Sequence, residues 1–155
     1  MPESIRCCKV VQATEATQKL VDACQRLIPQ LTHNNPPPTW AQLELMLSGD
    51  ASVLFLALDE ASGGDEIVGL ATLVIYRVPT GLRGYIEDIV VDGMQRGRGI
   101  GEALTRACLD RAQQAGCPQV MLTCNPARQA ANQLYQHMGF ELRKTNVYRY
   151  GFKHV

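Results

Sequence analysis

The sequence predicts a mixed α/β domain, with helices flanking a mixed central sheet in the order β-α-α-β-β-β-α-β-α-β-β across one domain, residues 1–155. Three observations carry this. Several stretches repeat apolar residues at i, i+3 and i+4, the period of a helix with one buried face. Between them lie short β-branched or aromatic runs punctuated by Gly and Pro, which read as strands. Two of those interruptions, at Gly63-Gly64 and from Pro79 to Gly84, are short enough for hairpins. An antiparallel meander therefore precedes the third helix.

Composition sets the outer limits. At 155 residues, 46% hydrophobic and 19% charged, the chain can bury a proper core. Fifteen basic residues balance fifteen acidic ones, which removes a global electrostatic case for nucleic acid or an anionic membrane. No apolar run approaches a membrane span, and the opening MPESIRCC has no signal-peptide core, so a cytoplasmic protein is expected. The six cysteines have no C-x-x-C spacing. They read as small buried hydrophobes rather than metal ligands, and no metal is expected.

The elements follow in order. Ile5 to Val11 alternates weakly, as a first strand would. Thr14 suits an N-cap for a helix with Ala16, Leu20, Cys24, Leu27 and Leu31 on one face, ended by the prolines at 36–38. Thr39-x-x-Gln42 matches a capping box and opens a short helix to Gly49, with Trp40 as a packing anchor. Strands Ser52–Leu58 and Ile67–Val78 follow, then the central strand Tyr85–Val91, which carries Glu87 and Asp88. After the turn from Asp92 to Gly99 comes a helix with Ile100, Ala103, Leu104, Ala107 and Cys108 on one face. Gln119–Cys124 is a short strand, and Asn125-Pro126 looks like a helix start. That helix stops at Gly139, and two strands, Phe140–Arg143 and Asn146–Phe152, close the chain.

The turn is the chemical centre. Gly97, Gly99 and Gly101 keep side chains away from the first helical turn, so its unpaired N–H groups and the positive end of the dipole face an anion. Arg96 and Arg98 add charges suited to phosphate oxygens. No Gly-Lys-Ser/Thr follows, which excludes a P-loop. A dinucleotide fingerprint fails too, because Leu104 stands where its third glycine belongs and the next strand ends without a ribose-binding acid.

The remaining pattern, Arg96-x-x-Gly99-x-Gly101 directly after an acid-bearing strand, resembles the pyrophosphate-binding motif of the GNAT superfamily of acetyl-CoA-dependent N-acetyltransferases. The element order and the segment Leu134-Tyr135-x-x-x-Gly139-Phe140 are similar to the same superfamily, so the resemblance covers nearly the whole chain. It implies acetyl transfer to a primary amine of a small molecule or peptide by direct attack in a ternary complex. By that resemblance, the backbone of Gly97, Arg98, Gly99, Ile100, Gly101 and Glu102, with Arg96, would hold the CoA pyrophosphate. Main chain at Ile89, Val90 and Val91 would pair with the pantetheine arm.

The resemblance also distributes the chemical roles. An alkylamine with a pKa near 10.4 is neutral in roughly one molecule in 2,500 at pH 7, a cost of about 4.6 kcal/mol without a base. Glu87 takes the role of that base and Tyr135 that of the acid for the leaving thiolate. Asp88 is assigned to recognition of the substrate amine; on an ideal strand it points away from Glu87 unless a bulge turns one of them. The pair could instead be structural, held by Arg77, Arg83 or Arg143. Many superfamily members carry Asn seven residues before the Tyr, where this chain has Arg128; either Asn132 replaces it or Arg128 reaches a CoA phosphate, and the sequence leaves both open. A non-catalytic acetyl-CoA sensor is the alternative, although keeping both Glu87 and Tyr135 argues against it. A homodimer is a common assembly among relatives, and the sequence leaves both it and the acceptor open.

Overall fold

The computed structural model describes residues 8–153, so the first three residues of the predicted first strand, Ile5 to Cys7, lie outside the described residues. The chain divides into two compact units, one running to Thr123 and one from Cys124.

The first unit holds a five-stranded sheet in sequential order: β1 (Cys8–Gln12), β2 (Ser52–Asp59), β3 (Glu66–Val78), β4 (Gly81–Val91) and β5 (Val120–Met121). The first four strands are antiparallel to their neighbours and β5 runs parallel to β4, so the sheet is mixed as expected. Gly63 and Gly64 both adopt left-handed conformations between β2 and β3. The next hairpin is tighter than the sequence suggested. Val78 pairs with Gly81 across Pro79-Thr80, so β4 begins at Gly81 rather than Tyr85.

Helices α1 (Gln18–Leu31), α2 (Trp40–Ser48) and α3 (Ile100–Gln114) complete the unit. The apolar stripe of α1, Leu20, Cys24 and Leu27, packs with Leu54, Leu56, Leu70 and Val90 of the sheet. Its N-cap is Thr17, which accepts from the Leu20 N–H at 3.1 Å, and not Thr14. Either threonine has the right chemistry; only the three-residue offset to a donor distinguishes them. The capping box of α2 forms as read, with Thr39 Oγ1 accepting from Gln42 N–H at 3.3 Å and Gln42 Oε1 accepting from Thr39 N–H at 2.9 Å. Trp40, expected as a packing anchor, is 42% exposed.

Helix α3 approaches the sheet where β3 has no side chain. A Cβ on Gly69 would lie 3.0 Å from Leu104 Cδ1 and 3.3 Å from Ile100 Cγ2, so glycine sets how closely the helix start can sit. Gly69 and Leu70 alternate across β3, which puts α3 and the α1 cluster on opposite faces. Cys24 and Cys108 are buried, and burial pushes their thiols up to about 11 and about 12, so both remain neutral fillers of the core.

In the second unit, the helix α4 spans Gln129–His137 and begins later than Asn125-Pro126 implied. Asn125 Oδ1 accepts from the Ala127 N–H at 2.9 Å, a local turn that competes with the first turn of a helix. The helix ends as predicted. Gly139 is left-handed, its N–H reaches Gln136 O at 3.1 Å, and the Phe140 N–H reaches Tyr135 O at 2.9 Å. That is a Schellman stop, and the Tyr135 and Phe140 rings meet edge-to-face at 5.7 Å, as its apolar contact requires.

The strands expected at Phe140–Arg143 and Asn146–Phe152 do not form. Tyr148, Tyr150 and Phe152 do alternate, but alternation supplies only a face, whereas a strand also needs a neighbour to pair its backbone. Among the described residues, no ladder reaches this segment, and all three rings are exposed.

Candidate active site

The centre of β4 breaks its own ladder. Leu70 pairs with Val90 and Thr72 with Glu87, so Asp88 and Ile89 together oppose Ala71, a bulge of two residues against one. Asp88 absorbs the distortion at φ +52°, the left-handed region that Asp tolerates better than most side chains. The alternation that would separate Glu87 from Asp88 is thereby interrupted. Glu87's carboxyl is pushed above its ordinary range, first by partial loss of solvent and then by the negative charge of Asp88 beside it. Both acids are exposed and neither makes an ion pair among the described residues. Arg83, one structural partner considered for them, instead donates to Leu82 O at 3.1 Å and Thr80 Oγ1 at 2.5 Å.

Beyond the bulge, β4 has an open edge. Its parallel pairing with β5 covers only Gly84 and Tyr85. On that side, the backbone of Ile89, Val90 and Val91 faces no strand among the described residues. An extended ligand arm could pair there as an added strand would.

The chain then enters the turn. Gly97 is at φ +77° and Gly99 at +75°, both left-handed, and a Cβ on either would meet nothing within 4 Å. Gly99 is the N-cap of α3 and offers no side-chain cap. The N–H groups of Ile100, Gly101 and Glu102 belong to the first turn, ahead of the first intrahelical bond from Ala103 to Gly99. A helix start of this kind, with no side-chain cap, can receive an anion. Glu102 turns its charge to Arg106, 2.8 Å away.

The two arginines of the turn differ. Arg96 is exposed. Arg98 pairs with Asp59 at 3.1 Å and also donates to Gln95 Oε1. In the second unit, Asn132 donates its amide to Asn125 O at 2.9 Å and Arg128 O at 2.8 Å, holding the entry of α4. Tyr135 is buried on the same helix.

Three polar residues had drawn no attention in the sequence. Arg26 and Gln30, one turn apart on α1, both reach the start of the turn. Arg26 Nε lies 3.1 Å from Asp92 Oδ2, and Gln30 Oε1 accepts from the Gly93 N–H at 2.8 Å. Asp59, at the end of β2, is only 5% exposed and receives Arg98. The one local signal was a pair of polar side chains at i, i+4 beside the apolar stripe of α1.

Residues 16–140 match the family model described as Acetyltransferase (GNAT) family. The chain is 32% identical over 135 residues to "Probable glucosamine 6-phosphate N-acetyltransferase 2" of Oryza sativa subsp. japonica, covering 84% of this chain and 78% of that protein. It is 33% identical over 99 residues to "N-alpha-acetyltransferase 30" of Saccharomyces cerevisiae, covering 62% of this chain and 55% of that protein. Among solved structures, an aminoglycoside acetyltransferase from an uncultured soil metagenomic sample, in complex with sisomicin, superposes with a TM-score of 0.81 at 20% identity, covering 96% of this chain and 97% of that chain. Glucosamine-6-phosphate N-acetyltransferase from Arabidopsis thaliana superposes at 0.73 with 23% identity, covering 92% and 97%. These two superpositions speak to the fold. No helix among the described residues is long and apolar enough to cross a membrane.

Proposed function

The chain belongs to the GNAT acetyltransferase family, and on that premise we propose how it transfers the acetyl group and to what class of amine. The acceptor is a primary amine on a small molecule that also carries an anionic group such as phosphate. Glu87 is the base, acting on the incoming ammonium directly or through one water. Asp88 holds that ammonium and keeps Glu87 basic. The neutral amine then attacks the thioester carbonyl to form the C–N bond, the C–S bond breaks, Tyr135 gives its proton to the departing thiolate, and the extra proton on the new amide nitrogen passes through water to restore Tyr135. Acetyl-CoA lies with its pyrophosphate on the N–H groups from Gly97 to Glu102 and its pantetheine along Ile89 to Val91.

The observation that supports this reading best is the pair of adjacent carboxylates at the bulge, with no cationic partner among the described residues, one turn ahead of an uncapped helix start. The charge of Asp88 raises the proton affinity of Glu87, and two exposed carboxylates side by side suit an ammonium substrate. The anionic part of the acceptor is favoured by the mixed polar loops, which offer Asn34, Asn35, Arg83, Lys144, Asn146 and Arg149 rather than a run of acids. The named glucosamine 6-phosphate relatives point the same way.

Mass spectrometry of a mixture of acetyl-CoA, the protein and a panel of amino-sugar phosphates, amino acids, polyamines and short peptides tests the proposal. An acetylated amino-sugar phosphate or other anionic amine is expected, and its formation should fall at least 100-fold in Glu87→Gln. A product formed only from peptides or polyamines would overturn the acceptor class, and an unimpaired Glu87→Gln would remove Glu87 as the base. The same variant carries a stability signature. A carboxyl whose folded pKa is raised binds protons more readily when folded, so it lowers stability as pH rises from the ordinary Glu range through the raised value. Glu87→Gln should therefore melt slightly higher than wild type at neutral pH while losing activity.

A further inference from the structure

We infer that Arg26, Gln30 and Asp59 are positioning residues for the donor's pyrophosphate, because they fasten the turn between β4 and α3 at both of its ends. This rests on the reading that the cradle takes CoA. The turn is short and glycine-rich, and Gly97 and Gly99 place no steric limit on their own conformations. A loop of that composition does not hold a path by itself, yet an anion cradle works only if its N–H groups already converge.

The structure supplies the missing stiffness from elsewhere in the fold. At the entry, Asp92 is nearly buried at 9% exposure and receives three donors or chain contacts at once. Arg26 Nε reaches its Oδ2 at 3.1 Å, its Oδ1 accepts from the Met94 N–H at 3.1 Å, and its own N–H bonds to Val68 O at 2.9 Å. Burial alone would raise Asp92's pKa, but the Met94 N–H, Arg26 and Gln30 outweigh it and hold the carboxyl below its usual range. Arg26 also donates to Ile67 O, so the same guanidinium ties α1 to β3 and to the turn. Gln30 adds the contact to Gly93 at 2.8 Å.

At the exit, Arg98 immediately precedes the N-cap Gly99. Its guanidinium is drawn back to Asp59, which also caps the single turn Glu60–Ser62 by accepting from the Ala61 N–H at 3.2 Å. Arg98 thus anchors the backbone that presents the cradle, and of the two arginines in the turn it is Arg96 that stands exposed to meet a phosphate. Partly buried, hydrogen-bonded pairs of this kind cost much when one partner is removed, because the other remains desolvated without it.

The experiment compares two ligands that differ in the pyrophosphate. CoA and pantetheine are titrated by ligand-observed NMR into wild type, Gln30→Leu, Arg26→Met and Asp59→Asn. Each variant should raise the Kd of CoA about tenfold, as expected when a preorganised site loosens, and leave the Kd of pantetheine unchanged. Equal losses for both ligands would reduce the three residues to general structural support and overturn the proposal, as would an unchanged CoA Kd. Gln30 and Arg26 are exposed on α1, so at least these two variants should fold, and thermal melting verifies it. Wild type that fails to bind CoA would overturn the cradle itself, an outcome distinct from binding that the variants do not weaken.

Discussion

Helices α2 and α3 begin in opposite ways. At α2, Thr39 and Gln42 close the capping box, and each side chain satisfies a backbone N–H of the other residue. At α3, the N-cap is a glycine with no side chain to offer, and the first-turn N–H groups stand open. Both helices face the same cost of unsatisfied donors. The first meets it with its own residues and the second has no side-chain cap to meet it. The contrast extends backward from α3, where Asp88 sits at a φ that favours glycine and two carboxylates stand adjacent. Local rules are obeyed at the α2 start and broken at the α3 start and the β4 bulge, where the proposed site lies.

Closing the open end is the severest way to break this contrast. Gly99→Asp would put a negative charge at the α3 start, where the proposed pyrophosphate would lie, at a left-handed φ of +75° that strains any side chain. CoA affinity should fall about 100-fold in a calorimetric titration, whereas Gly99→Asn, with the same strain and no charge, should lose much less. Retained affinity would mean that the phosphate does not use the α3 start.

A smaller effect is expected at the bulge. Asp88→Asn keeps a side chain suited to φ +52° but removes the charge that helps raise Glu87. Glu87 should then stay ionised to lower pH, so the acid limb of the kcat/KM profile should move down the pH scale. An unmoved limb would separate Asp88 from the base. The mildest test opens the closed helix. Thr39→Ala should cost about 1 kcal/mol in denaturant unfolding and leave CoA binding untouched. A matching loss of CoA affinity would show that the two helix starts are not independent.

Much of this site could be read locally. The glycines and arginines of the turn, the two acids ahead of it and the stop at Gly139 are all short-range patterns whose physics acts within a few residues. The Leu134-Tyr135-x-x-x-Gly139-Phe140 segment is an instance: its spacing is that of a Schellman stop with its aromatic contact. Other features were hidden for equally physical reasons. Arg26 and Asp92 are 66 residues apart and Arg98 and Asp59 are 39 apart, so no local window contains either pair. Arg98 read as a phosphate ligand because its charge was visible and its partner was not. The bulge depends on how β4 is matched to β3, which a single strand cannot announce.

The sequence by itself determined which segments become helices, which residues form the turn, and what chemistry the turn and the acids can offer. Those follow from periodicity, side-chain charge and the conformational freedom of glycine. Only the tertiary structure decided that Glu87 feels the charge of Asp88, that Arg98 anchors to Asp59, and that residues 146–152 form no strand despite their alternation. The first depends on how β4 pairs with β3, the second on a partner 39 residues away, and the third on a neighbouring strand that the described residues do not supply. An ion pair or a ladder is a property of two segments, and its energy does not exist in either one alone.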